Sequence, residues 1–309
     1  MLIFDCHCDT LDLLTADDSF YNDTSLNLSY PKLVSGGVGL VTFAVCSPKI
    51  NEGYIDRANR MLLRYDQITS KGTLKRVLSK ADVDDIANGH TMGALLALEG
   101  ADILCGDVNA INKYFDMGAR MLSLTWNNSN LFCGGIGEDI DGLSQSGKEL
   151  VIRCKNKGII IDVSHASRKG FWDIAELLDV PFVATHSNAF ALCKNKRNLD
   201  DDQLRAIAKV DGIVGMNFYP PFLRDDGGAS IDDVVRHIEY IASLIGTRHI
   251  AIGSDFDGVD NNLPKGLDGA DKLQLIPNRL LELNYPEDDV KSICYGNYLR
   301  VLKRLLPDY

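Results

Sequence analysis

The first residues able to do chemistry are His7 and Asp9, in Met1-Leu-Ile-Phe-Asp-Cys-His-Cys-Asp-Thr. The apolar run before them reads as a short buried strand. Residues i and i+2 of a strand point to one face, so imidazole and carboxylate are expected to converge. A nitrogen and an oxygen donor placed together suit a Zn²⁺-type ion. One such pair is weak by itself. Its weight comes from the same arrangement, an apolar strand ending in an ionisable residue, recurring downstream. Glu99 follows Leu95-Leu-Ala-Leu, His165 follows Ile159-Ile-Ile-Asp-Val-Ser, and His186 follows Phe182-Val-Ala-Thr. Asp255 and Asp257 follow Ile252-Gly-Ser.

The chain has 6 histidines, and His7, His165 and His186 all fall at predicted strand ends. His90, His237 and His249 fall in a loop, a helix and a strand start, and carry no assigned function. A lone histidine at a strand end is ordinarily a hydrogen-bonded structural residue, and a lone Asp ordinarily caps a turn. Seven such residues on one rim are not explained that way. A mononuclear catalytic zinc takes three protein ligands plus water. The surplus of donors predicts two metals about 3.5–4 Å apart with a shared carboxylate, an arrangement suited to hydrolysis. Glu99 is the expected bridge, because its strand lies between the His7/Asp9 strand and the two later histidine strands.

The elements that must position these residues are eight predicted strands, at 2–6, 38–45, 93–98, 120–124, 158–163, 181–185, 212–217 and 249–253. Most are continuous apolar runs, as expected for strands covered on both faces. Helical patterns alternate with them at 107–117, 147–157, 167–178, 200–209 and 230–245, with a final helix at 286–306. Ser167 and Ser230 read as N-caps and Gly246 as a C-cap. Eight strands alternating with helices predict an α/β fold, a (β/α)₈ TIM-type barrel, over a single domain 1–309. An open doubly wound sheet would need a Gly-rich phosphate loop after its first strand, and none is there. The Gly-rich segment 134–142 is expected to be a mobile surface loop or, failing that, part of a cleft wall. In a barrel, catalysis belongs at the C-terminal ends of the strands, where all the candidate residues fall.

Bulk properties narrow the function. The 309 residues carry a formal charge of −11 and 45% hydrophobic content. Nucleic acid is not expected as a partner, for want of a basic stripe. No run approaches the ~20 apolar residues of a membrane span, and no signal peptide or lipid-anchor tail is apparent. Eight scattered cysteines without a C-x-x-C pair suggest free thiols and a cytoplasmic protein. Cys6 and Cys8, on alternate positions to His7 and Asp9, are expected to face away from the metal as inert core.

At this point the residues resemble the membrane dipeptidase (renal dipeptidase, peptidase M19) family over nearly the whole chain. The resemblance rests on Asp5-Cys-His-Cys-Asp-Thr, Leu98-Glu-Gly-Ala, Ile161-Asp-Val-Ser-His-Ala-Ser, Thr185-His-Ser-Asn-Ala and Lys196-Arg-Asn-Leu. Met216-Asn-Phe-Tyr, Gly253-Ser-Asp-Phe-Asp-Gly-Val and Asn297-Tyr-Leu-Arg-Val-Leu extend it. It implies a metal-dependent hydrolase barrel that cleaves dipeptides, with tolerance of a C-terminal D-residue. One zinc would be held by His7, Asp9 and Glu99, the other by Glu99, His165 and His186. Arg197 would bind the substrate carboxylate and Asp255 would move protons. A homodimer is implied by the resemblance alone.

Two positions depart from the family pattern. Trp126 stands where a substrate-contacting His is usual, and Cys6 where Gly is usual. The competing readings are another amidohydrolase-type barrel, such as a deaminase or lactonase, and a non-catalytic peptide-binding barrel. The first usually opens with His-x-His, whereas this chain has His-x-Asp. The second does not account for the presence of every expected ligand together with Asp255.

Overall fold

A computed structural model describes residues 1–15, 19–50 and 52–308. Among the described residues, nine strands run in chain order. They are β1 (Ile3–Cys8), β2 (Val38–Cys46), β3 (Leu74–Arg76), β4 (Met92–Glu99) and β5 (Ala119–Ser123), then β6 (Ile160–Asp162), β7 (Val183–Ala184), β8 (Ile213–Met216) and β9 (Ile250–Ile252). All pair in parallel. Around the barrel the order is β1-β2-β4-β5-β6-β7-β8-β9, closed by β9 against β1. This is the expected eight-stranded TIM-type barrel. β3 is additional. It pairs with Met92–Ala94 at the start of β4, below the point where β5 joins at Leu96.

Burial separates two apolar clusters. The larger packs the outer strand faces against the helices. The smaller collects Phe4, Cys6, Leu40, Leu95, Ala97, Met121, Ile160, Val183, Ile213 and Ala251 from the barrel interior. Tyr298, Val301, Leu302 and Leu306 of the last helix close its floor, and the Tyr298 hydroxyl meets Thr42 Oγ1 at 2.7 Å. Cys6 and Cys8 therefore do not share a face: Cys6 lies in the interior cluster and Cys8 in the outer one. Register shifts in the β1–β2 pairing break the simple alternation. His7 and Asp9 still converge, but through this irregularity and a turn after the strand, because Asp9 has already left the extended conformation (φ −106°, ψ 13°).

The expected helices form with the expected caps. Ser167 accepts from Gly170 N, and Asp200 and Gln203 make a reciprocal capping box. Tyr54–Ser70, at 17 residues the longest helix among the described residues, is not among the predicted elements. It buries Ala58, Met61, Leu62, Tyr65 and Ile68 at helical spacing, but five charged residues dilute the apolar signal. The final helix is not continuous. A π-helical segment, Ser292–Gly296, interrupts it between Glu287–Lys291 and Asn297–Leu305. Asn297 Nδ2 then donates to Thr247 O and Ile250 O at 2.7 and 2.8 Å, which ties the helix to the foot of β9.

Candidate metal centre and active site

The strand ends bring His7, Asp9, Glu99, His165, His186 and Asp255 together at the C-terminal rim. Three groups of donor atoms lie within 4.8 Å of one another: His7/Asp9/Glu99, Glu99/His165/His186 and His7/His186/Asp255. Glu99 ends β4 and stands between the first two groups. Its Oε2 is 3.6 Å from His7 Nε2, while Oε1 is 2.9 Å from His165 Nε2 and 3.6 Å from His186 Nε2.

The hydrogen bonds fix which histidine nitrogens are free. His186 Nδ1 faces Thr185 Oγ1 at 2.8 Å, and that hydroxyl is itself donated to Asp162 Oδ2 at 2.6 Å. Thr185 must therefore accept from His186 Nδ1–H, leaving a lone pair on Nε2. His165 Nδ1 faces Asn127 Oδ1 at 2.8 Å; with the amide oriented this way, His165 also carries its proton on Nδ1. The two Nε2 atoms are 2.8 Å apart. Two lone pairs aimed at each other beside a carboxylate oxygen are repulsive unless a cation or proton lies among them.

His7 Nε2 is buried and has no hydrogen-bond partner among the described residues. Asp9, Glu99 and Asp255 oxygens stand 3.5, 3.6 and 3.9 Å away. Ligands about 2.0–2.1 Å from a tetrahedral zinc stand about 3.3 Å apart, so the spacing and the chemistry of this donor set fit a metal ion.

The carboxylates and burial act differently on the three histidines. Burial would lower the His7 pKa, but the Glu99 and Asp9 carboxylates outweigh it and push it up to about 10. Burial, with neighbouring positive charge, holds His165 and His186 well below the ordinary histidine value, as neutral ligands must be. Burial, and behind it the Asp9 and Glu99 charges, push Asp255 up to about 7 against the pull of His7.

The backbone is shaped to present these groups. His165 and Asp255 have φ of 69° and 61°, a left-handed conformation uncommon outside glycine. Asp9 N donates to Phe256 O, and Asp255 N to His7 O, so the ends of β1 and β9 are laced together. Gly258 leaves room for the Asp9 carboxylate in its present place, since a Cβ there would stand 2.2 Å from Asp9 Oδ2. The Gly-rich segment braces the site: Ile136 N donates to His165 O at 2.8 Å, and Ser167 N to Gly134 O. Asp257 plays a different part from Asp255. It accepts from Thr10 Oγ1, Asn27 N and Leu28 N and pins the neighbouring segment.

A cleft of about 470 Å³ opens over the cluster, lined in part by Trp126, Arg197, Tyr219, Phe222 and Arg57. Arg197 is buried. Its Nη2 donates to His186 O at 3.3 Å, its Nε has no partner among the described residues, and Phe222 lies under its guanidinium. Trp126 is half-buried in the cleft wall rather than in the core, stacked on His165 with ring centroids 6.0 Å apart.

Several site residues were missed from sequence. Asn217 ends the seventh predicted strand and donates to Asp255 Oδ2 at 2.8 Å. Cys46 ends β2, in register with Glu99. Their strand-end positions were legible, but an uncharged side chain was passed over. Asn127, Asp162 and Thr185 act only through other residues and gave no signal. His237 lies apart from the cluster. It accepts from Ala189 N and faces Leu223 O, and burial lowers its pKa to about 4.

Comparisons with known proteins agree with this geometry. The sequence model of the membrane dipeptidase family, peptidase family M19, matches residues 1–306. The chain is 35% identical over 300 residues to dipeptidase aclJ of Aspergillus oryzae, covering 89% of this chain and 69% of that one. The crystal structure of dipeptidase AC, a metallopeptidase of family M19, superposes with a TM-score of 0.91 at 28% identity over 99% of this chain and 98% of that one. A metallopeptidase from Rhodobacter sphaeroides, liganded with a phosphinate mimic of the dipeptide L-Ala-D-Ala, superposes with a TM-score of 0.90 at 27% identity over 99% of each chain. These similarities set aside the deaminase, lactonase and non-catalytic readings. No helix among the described residues is long and apolar enough to cross a membrane. The chain belongs to the membrane dipeptidase family, peptidase family M19, and is a metallo-dipeptidase.

Proposed function

We propose that the protein is a binuclear zinc dipeptidase acting on dipeptides with a free C-terminal carboxylate, a C-terminal D-residue included. The observation that carries this reading is the Glu99 carboxylate, with one oxygen toward His7 and the other toward His165 and His186. His7, Asp9 and Glu99 would hold one ion, and Glu99, His165 and His186 the other. When bound, the ions activate a water and polarise the scissile carbonyl.

The remaining work falls to the chain's own groups. Asp255 takes a proton from the attacking water and delivers it to the leaving amine. Asn217 holds Asp255 Oδ2, so Oδ1 is left facing the cluster. Arg197 offers its unpartnered Nε and its remaining N–H groups as a fork for the terminal carboxylate. Trp126 narrows the cleft where a histidine is usual and supplies at most one N–H. Tolerance of a D-residue draws on the L-Ala-D-Ala mimic bound by the Rhodobacter sphaeroides relative. The eight cysteines, all free, suit a reducing compartment, and the reading includes a cytoplasmic enzyme. Assembly as a homodimer follows only from the family resemblance.

The test compares free and C-terminally amidated dipeptides on the parent and on Arg197→Met. The parent should prefer the free carboxylate by on the order of 10- to 100-fold in kcat/KM, and the variant should lose most of that preference. Equal rates on both substrates in the parent would refute the role of Arg197.

A further inference from the structure

The cleft has a second guanidinium that the proposed reaction does not use. Among its lining residues, Arg197 and Arg57 are the two side chains with a permanent positive charge. They come from opposite sides of the barrel. Arg57 follows β2 and Arg197 follows β7, and these strands are diametrically opposed in the order β1-β2-β4-β5-β6-β7-β8-β9. The metal ligands lie between them. A dipeptide whose carboxylate rests on Arg197 therefore extends its N-terminal residue across the centre toward Arg57. This step depends on the placement of the substrate carboxylate proposed above.

Arg57 is built into the wall rather than waving from it. Its Nε and Nη2 donate to Asp12 Oδ1 and Oδ2 at 3.0 and 2.8 Å, a bidentate pair. Asp12 is fixed in turn, because Arg64 Nη1 donates to the carbonyls of Leu11 and Asp12 at 2.9 and 3.0 Å. The third nitrogen of Arg57, Nη1, has no hydrogen-bond partner among the described residues, and the side chain is 39% exposed. Leu13, Pro48 and Ile50 line the cleft on the same side. The wall thus offers an apolar surface for a side-chain stem and a rigid pair of N–H donors beyond it. Asp12 neutralises the guanidinium, so the donors suit an amide oxygen as well as a carboxylate.

We propose that Arg57, oriented by Asp12, is a specificity-determining residue that binds a side-chain oxygen on the N-terminal residue of the dipeptide. The favoured substrates then carry Gln or Glu at that position, over an apolar residue of the same length.

The test measures kcat/KM for Gln-Ala, Glu-Ala and Met-Ala with zinc-loaded parent, Arg57→Met and Asp12→Asn, with metal content checked on each. The parent should favour Gln-Ala and Glu-Ala over Met-Ala by about 5- to 10-fold, the size of one partly exposed charge-assisted hydrogen bond. Arg57→Met should erase that ratio. Asp12→Asn should move the balance from Gln-Ala toward Glu-Ala, because the guanidinium is no longer neutralised. A purely structural ion pair would not change the order of substrates. Equal rates on all three dipeptides in the parent, or a preference that survives Arg57→Met, would overturn the inference while leaving the dipeptidase reading intact. Failure of the zinc-loaded parent to cleave any dipeptide would overturn both.

Discussion

Two buried acidic layers sit at the top of the barrel, and they differ in how their polar atoms are satisfied. In the lower layer, Asp162 accepts from Ser164 N and Thr185 N on one oxygen and from the Ser123 and Thr185 hydroxyls on the other. Asp5 accepts from Ser254 N and His7 N on one oxygen and from Ser254 Oγ on the other. In the upper layer, His7 Nε2 has no partner among the described residues, and His165 and His186 point lone pairs at each other. Asp9, Glu99 and Asp255 crowd the same space. A buried polar group without a partner costs about 1–3 kcal/mol, and the upper layer accepts several such costs at once. The lower layer is a scaffold complete in itself. The upper layer is complete only with cations added, and the lower one holds its ligands in the orientation that those cations need.

This contrast predicts opposite responses to substitution. The largest effect is expected at Asp255, which moves the proton in the proposed reaction. Asp255→Asn should lower kcat by roughly 10²- to 10⁴-fold while the metal content stays at the parent value. A variant that keeps most of its kcat would remove Asp255 from proton transfer.

The lower layer should answer in stability instead. Asp162→Ala strands two backbone N–H groups and two hydroxyls in a buried layer. It should cost about 3–5 kcal/mol, read by denaturant unfolding of the metal-free protein. An unchanged midpoint would mean that the layer is not the scaffold described here.

The smallest effect on stability is expected at Glu99. Glu99→Gln should shift the stability of the metal-free protein by no more than about 1 kcal/mol, because relief of three crowded carboxylates is offset by loss of the charge that faces His7. The same variant should bind fewer metal ions and lose turnover. A loss of stability as large as that of Asp162→Ala would break the contrast between the layers.

The upper layer was largely legible in the sequence and the lower one was not, for a physical reason. Candidate metal ligands are ionisable or basic and in a barrel belong at the C-terminal strand ends, so His7, Glu99, His165 and His186 stand out by type and place. Asp162 and Thr185 lie inside apolar strands, where an isolated polar residue reads as noise until its partners across the sheet are known. The barrel was legible because its strands are unbroken apolar runs covered on both faces. The irregularity in β1 was not, since the register shifts arise from pairing with β2 and not from local pattern. The π-helical break at Ser292–Gly296 likewise answers to the floor of the barrel, where Asn297 must reach the foot of β9. Composition marks the Gly-rich segment 134–142 as a mobile surface loop or part of a cleft wall, and it does not reveal where glycine permits close backbone approach. A Cβ at Gly135 would stand 2.4 Å from Asn127 O, next to the residue that orients His165.

The central claim is that Glu99 joins two cation sites into one. Titration of metal-free protein with zinc, followed by elemental analysis and turnover of an unmodified dipeptide on the same samples, tests it most directly. The account predicts two zinc ions per chain, with turnover reaching its plateau only as the second ion is bound. Full turnover at one ion per chain, or with none, would contradict it.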